Sequence, residues 1–132
     1  MIVAGVGCRR GASAPDIEAA IRAALARADI AADALDVIAT IVEKKSEAGI
    51  QQAAQKLGVA VVIVPKIALD AASGRTMTRS DRVRALMGVP SVAEAAALAA
   101  AGPLSQLISP RLVIGPATCA LAASNETPGT AQ

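Results

Sequence analysis

The sequence predicts an α/β fold: a three-layer α/β/α domain with a mostly parallel sheet and an antiparallel C-terminal edge. Three observations carry this expectation. Short apolar runs rich in β-branched residues alternate with segments whose apolar residues recur at helical spacing. Such alternation builds parallel β-α-β units covered on both faces. The chain then closes with two apolar runs separated by a Gly-Pro break, and its 132 residues suit one domain.

The elements follow in order. Residues 2–7, "IVAGVG", read as a buried strand ended by glycine. "SAPD" opens a helix, with Ser13 as N-cap, Pro15 in the first turn and Asp16 in a capping-box position. Ile17, Ala20, Ile21, Ala24, Leu25 and Ala28 form its apolar stripe, which leaves Arg22 and Arg27 solvated. Residues 35–42, "LDVIATIV", form the second strand. Ser46 is the expected cap of a helix carrying Ile50, Ala53, Ala54 and Leu57 and stopped by Gly58. Residues 59–64, "VAVVIV", give the third strand, ended by Pro65.

A short helical turn is expected at 66–72, a polar loop at 73–80 and a short helix at 81–87. "SVAE" is a full capping box, Ser91 to Glu94, and starts an Ala-rich helix reaching about Ala101. "SQLISPRLVIG" and "ATCALAA" form a closing hairpin, with Pro110 and Pro116 at edges or bends. The expected domain is 1–123, with residues 124–132 a disordered tail.

Composition narrows function. Hydrophobic residues make up 54% of the chain, yet none is Phe, Tyr or Trp. Without aromatics there is no platform for stacking bases and no cage for a quaternary ammonium. There is no His, the commonest metal ligand and general base. Cys8 and Cys119 lack the spacing of zinc motifs, so no metal site is expected. A net charge of +2 is too mild for a general nucleic-acid binder. The apolar runs are far too short to span a membrane, and two cysteines without a secretion signal suit free thiols in the cytoplasm. A homo-oligomer is compatible with the sequence.

Charge patterning places the site. The carboxyl ends of parallel strands share one rim, and ligands of open α/β sheets bind there. Strand one exits into Arg9 and Arg10, strand two into Lys44 and Lys45, and strand three into Lys66. Arg75 and Arg79, on the later loop, are placed to fold over the same edge. Solvated surface explains any single lysine. The Arg9–Arg10 pair is different. It lies in "GVGCRRGAS", where Gly5, Gly7 and Gly11 allow close backbone approach and a helix N-terminus follows. Loop amides, helix dipole and two guanidinium forks suit a carboxylate or phosphate. The G-x-G-x-x-x-G spacing is not the dinucleotide pattern, and a P-loop is absent. Cys8, in the same turn, reads either as a packed small residue or as a nucleophile with a lowered pKa. Glu94 is explained by capping and Glu47 by the helix dipole, though both are also the available bases. Ser80 and Ser91 read as caps that could also face the rim, and Thr118 as a strand former.

The residues resemble a family. "GVGCRRGAS" resembles the G-x-G-C-R-R-G-[TS]-S turn that opens the CobE family of cobalamin biosynthesis, itself similar to the C-terminal domain of CbiG proteins. "ATIVEKKSEAGI" resembles its strand-two exit through Lys44, Glu47 and Gly49. "SDRVRALMGVPSVAEAAAL" matches through Ser80, Val83, Gly88, Ser91 and Glu94, and "ATCALAA" through Thr118 and Ala120. The loop at 73–80 has no strong counterpart, and "VEKKSEAG" stands where the family often has an acidic or polar run.

The resemblance implies a role in building the corrin ring of vitamin B12. Fused CbiG relatives hydrolyse a precorrin lactone and release acetaldehyde; the free-standing form goes with the aerobic route. Its implied ligand is a corrin precursor fringed with carboxylates, held by Gly7, Cys8, Arg9, Arg10, Gly11, Lys44, Ser80 and Ser91. Glu47, Glu94 and Cys8 are the candidate catalytic groups, no cofactor is expected, and other cobalamin-pathway enzymes are possible partners. Carrier, lactone hydrolase and docking domain all remain open at this level.

Overall fold

A computed structural model describes residues 1–44, 46–73 and 92–124 of the chain. The elements are β1 (Ile2–Cys8), α1 (Ala14–Arg27), a 3-10 turn (Ala32–Ala34), β2 (Val37–Ile41), a second 3-10 turn (Val42–Lys44), α2 (Ala48–Leu57), β3 (Ala60–Val64), α3 (Lys66–Ala72), α4 (Val92–Ala101), β4 (Gln106–Ile114) and β5 (Ala117–Ala123). The expected loop beyond Ser73, the helix at 81–87 and the tail beyond Ser124 lie outside the described residues. So do Lys45, Arg75, Arg79, Ser80 and Ser91.

The strands form one five-stranded sheet in the order β3-β2-β1-β5-β4. β1, β2 and β3 run parallel, with Val3 opposite Val37 and Ile38 opposite Val61. β5 runs antiparallel to β1 from Ile2–Ala123 to Cys8–Ala117, and β4 pairs antiparallel with β5. The fold is therefore the expected three-layer α/β/α arrangement, with its antiparallel edge at the C-terminus. The shorter second strand reflects its end: residues 42–44 coil into the 3-10 turn and lift Lys44 out of the sheet.

Each face of the sheet carries its own core. On one side, Ile17, Ile21 and Leu25 of α1 and Ile50 of α2 meet Ala4, Val6, Ile38 and Leu121. The predicted α1 stripe is the buried one, and Ser13 Oγ accepts the Asp16 N–H at 3.2 Å. On the other side, α3 and α4 cover Val3, Ala39, Val64 and Ala122. Alanine dominates α4, so its backbone settles directly on β1. A Cβ on Gly5 would lie 2.0 Å from the Ala93 carbonyl oxygen. Gly5 thus serves helix–sheet contact rather than approach to a ligand, which corrects the sequence reading. The Ala-rich surface is spent inside the molecule, with Ala93 and Ala95–Ala97 all buried.

Three local expectations change. The α2 N-cap position belongs to Glu47, not Ser46, and its side chain makes no capping bond. Arg27 is not merely solvated: its guanidinium donates to Ser109 Oγ and the Pro110 carbonyl. Glu94, read from the sequence as a capping-box residue, makes a contact far along the chain. It is fully buried, and its Oε2 accepts the Arg111 N–H at 2.8 Å.

Candidate functional site

The rim at the carboxyl end of β1 is built by two turns. After Cys8 the chain folds back, with Ala12 N–H donating to the Arg9 carbonyl and Gly11 at φ +77°. Glycine adopts that left-handed geometry at no steric cost. Arg9 N–H donates to the Pro116 carbonyl at 2.9 Å, which ties this turn to the β4–β5 hairpin. On its far side Gly11 N–H donates to Glu47 Oε1 at 2.9 Å, tying it to the start of α2. The Glu47 carboxylate that left its cap position is used here.

Between these turns and the first turn of α4 lies a cavity of about 370 Å³. Gly7, Thr118 and Val113 sit side by side on β1, β5 and β4 and line it. Val92 and Ala93 line it from α4, and Arg9, Arg111, Cys8, Gly115 and Pro116 complete the lining. A Cβ on Gly7 would meet nothing within 4 Å, so the missing side chain deepens the cavity. Arg9 and Arg111 are both exposed and give the mouth its positive charge.

The residues singled out from sequence divide between two faces. Gly7, Cys8 and Arg9 line the cavity; Arg10, Gly11 and Lys44 do not, although they share the rim. The Cys8 side chain packs toward the α1–α2 core. Burial raises its pKa above the usual thiol value; the nearby Lys44 ammonium pulls it down, and the Glu47 carboxylate pushes it up. Of the two sequence readings of Cys8, the packed small residue is the one that fits this environment, where desolvation outweighs the local positive charge. Lys44 reaches the same neighbourhood through the backbone: its carbonyl accepts the Glu47 N–H, and the Glu47 carboxylate holds Gly11. Lys66, the third rim cation, pairs with Asp70 at 3.0 Å on α3. Among the described residues, no three His, Cys, Asp or Glu side chains are grouped to hold a metal, and no helix is long and apolar enough to cross a membrane.

Sequence reasoning missed Arg111 and Val113. A signal was available: Pro110 inside an apolar strand marks a bulge, and a bulge re-aims its neighbour.

Fold and site together define a small α/β domain with a mixed sheet and a cationic cavity at one strand-end rim. The chain belongs to the family described as cobalamin synthesis G C-terminus, whose model matches residues 2–122. It is 36% identical over 121 residues to Protein CobE of a Sinorhizobium species, covering 92% of this chain and 79% of that one. The crystal structure of cobalamin biosynthesis protein chiG from Agrobacterium tumefaciens is 42% identical, with a TM-score of 0.77 over 96% of this chain and all of that one. The crystal structure of CobE, a protein from the cobalamin biosynthetic pathway, is 33% identical, with a TM-score of 0.83 over 92% of this chain and 89% of that one. The family suggested by the motifs is thus the family the chain belongs to.

Proposed function

We propose that this protein binds a corrin-ring precursor, of precorrin or hydrogenobyrinic acid type, through the carboxylates on the ring's periphery. One observation carries the reading: a cavity lined by Val92, Val113 and Pro116 and flanked by the Arg9 and Arg111 side chains opens at the strand-end rim. A corrin precursor is far larger than this cavity, so an edge of the ring enters while the remainder lies across the mouth. Guanidinium groups suit the acetate and propionate fringe because each fork can bind two oxygens at once. With no histidine to ligate cobalt, recognition works through the periphery.

A carrier, or a protein that presents the ring to an enzyme, fits better than a lactone hydrolase. Both candidate bases are engaged with the backbone, Glu47 to Gly11 and Glu94 to Arg111. Burial pushes the Cys8 thiol up, away from the thiolate form that a nucleophile needs.

A titration with hydrogenobyrinic acid followed by visible absorption tests the reading. The ligand's spectrum is expected to shift, and Arg9→Ala with Arg10→Ala to weaken binding at least ten- to a hundred-fold, the loss of about 1.5–3 kcal/mol for one charged hydrogen-bonded contact. An unchanged spectrum at high protein concentration would overturn it.

A further inference from the structure

We infer that Arg111 is a carboxylate-binding residue of the rim cavity, and that Glu94 and Arg27 are positioning residues holding the strand distortion that aims it there. The inference rests on the binding reading above and extends it to residues the glycine-rich turn does not contain.

Leu107 faces Ala122, Ser109 faces Leu121 and Leu112 faces Cys119, so β4 slips by one residue at each step. Each slip exchanges the faces of every side chain beyond it. Ser109 reaches Arg27 in the α1 layer. Two residues further on, a regular strand would point Arg111 to that same side. The second slip sends it to the other face, where it lines the cavity with Val113 and Thr118.

The slip is held in a specific way. The described chain has no cis peptide, so the C=O of Pro110 and the N–H of Arg111 point in opposite directions from one planar unit. Arg27 donates to that carbonyl from the α1 side. Glu94 accepts that N–H from the α4 side. In a regular strand both groups would lie in the plane of the sheet and bond to neighbouring strands. Here the unit is turned across the sheet and gripped by a charged side chain from each layer. Charge-assisted bonds are the stronger kind. Arg27 is further fixed by bonds of 3.1 and 2.6 Å to Ser109 Oγ. The result is a second guanidinium at the cavity mouth, set by the register of a strand rather than by the glycine-rich turn.

Two measurements on the full chain test this. In the hydrogenobyrinic acid titration, Arg111→Ala is expected to lose about ten- to a hundred-fold in affinity, with partial recovery in Arg111→Lys and a flatter dependence on salt. Glu94→Ala should weaken binding in the parent chain, add nothing to Arg111→Ala, and be rescued by Glu94→Gln, whose amide oxygen still accepts the N–H. A merely destabilising change at Glu94 would add to Arg111→Ala and overturn the positioning role. The second measurement uses tricarballylate, a small tricarboxylate, and follows the Nε–Hε NMR signals of Arg9 and Arg111. The Arg111 signal is expected to move in the parent chain. If hydrogenobyrinic acid leaves the parent spectrum unchanged but tricarballylate moves Arg111, the corrin reading fails and this inference stands. If Arg111→Ala binds hydrogenobyrinic acid like the parent chain, or Arg111 ignores tricarballylate, the inference is overturned.

Discussion

Arg27 and Glu94 grip opposite ends of the same peptide unit, one from each helical layer of the domain. Each sits where its helix welcomes its charge: Arg27 in the last turn of α1, Glu94 in the first turn of α4. The unit they hold joins Pro110 to Arg111 in an edge strand, where a proline removes one ladder bond and the register slips. Two helix ends thus stabilise a strand defect.

That arrangement predicts a stability signature. Glu94→Ala leaves the Arg111 N–H without its carboxylate and should cost about 1–3 kcal/mol, while Glu94→Gln should cost clearly less. Arg27→Met keeps the aliphatic stem but removes the donors to Pro110 and Ser109, and should cost about 1–2 kcal/mol. Urea denaturation with unchanged slopes checks all three. Equal losses for Ala and Gln at Glu94 would show that the carboxylate's acceptor role is not what matters.

Two glycines on one strand should behave oppositely. Gly5→Ala drives a methyl group to 2.0 Å from the Ala93 carbonyl and 2.9 Å from the Ala97 Cβ, with helix backbone as the obstacle. Overpacking of this kind costs about 3 kcal/mol or more, since α4 must lift from the sheet. Gly7→Ala meets open space and should leave stability within about 1 kcal/mol of the parent, or raise it. Its methyl group enters the cavity, so its effect should appear in the hydrogenobyrinic acid titration. Thermal melts and that titration together separate the two.

The contrast shows what was legible in the chain itself. Periodicity revealed α1 and α2, because Ile17, Ile21, Leu25 and Ile50 are large apolar residues on one stripe each. Parallel strand order followed from the β-α-β alternation. Glycine-rich sequence also located the rim, since strand-end turns need it. The same reasoning could not separate Gly5 from Gly7. One serves packing and the other a cavity, and the difference lies in α4, almost ninety residues away. Nor did it find Arg111: Pro110 marked a bulge, but not the face its neighbour would take. Its place depends on a register slip, and a slip is set by pairing partners rather than by local pattern. At Cys8 the cations were visible and two readings stayed open; the burial that outweighs the cations comes from the α1–α2 core, which no local pattern shows.

Cys8 offers a direct check on that balance. Its thiol should alkylate slowly with iodoacetamide at neutral pH and titrate above the ordinary thiol value of 9.0. Lys44→Ala removes the charge that lowers the pKa and should move the midpoint higher. Glu47→Gln removes the one that raises it and should move the midpoint lower, while its amide oxygen can still hold Gly11. The rate–pH profile of each variant reads the signs separately; a midpoint below 9.0 in the parent chain would refute the burial argument.

Cys119 sets the alkaline limit of the fold. It is fully buried against the α1 side of the sheet, and burial pushes its thiol from 9.0 up to about 12, with the Arg27 charge opposing the shift. Above pH 9.0 the unfolded chain loses this proton while the native chain keeps it. The unfolded state then binds fewer protons, so stability must fall as pH rises, by up to about 1.4 kcal/mol per pH unit. The contribution is complete below pH 9.0 and is lost progressively between 9.0 and about 12. Between about pH 8 and about pH 10.5 the parent chain should therefore lose about 2 kcal/mol more than Cys119→Ala, whose side chain cannot ionise. Ionisations elsewhere are common to both proteins and cancel in the difference. Urea denaturation at the two pH values measures it, and parallel losses in the two proteins would mean that Cys119 ionises in the folded state as readily as in the unfolded one.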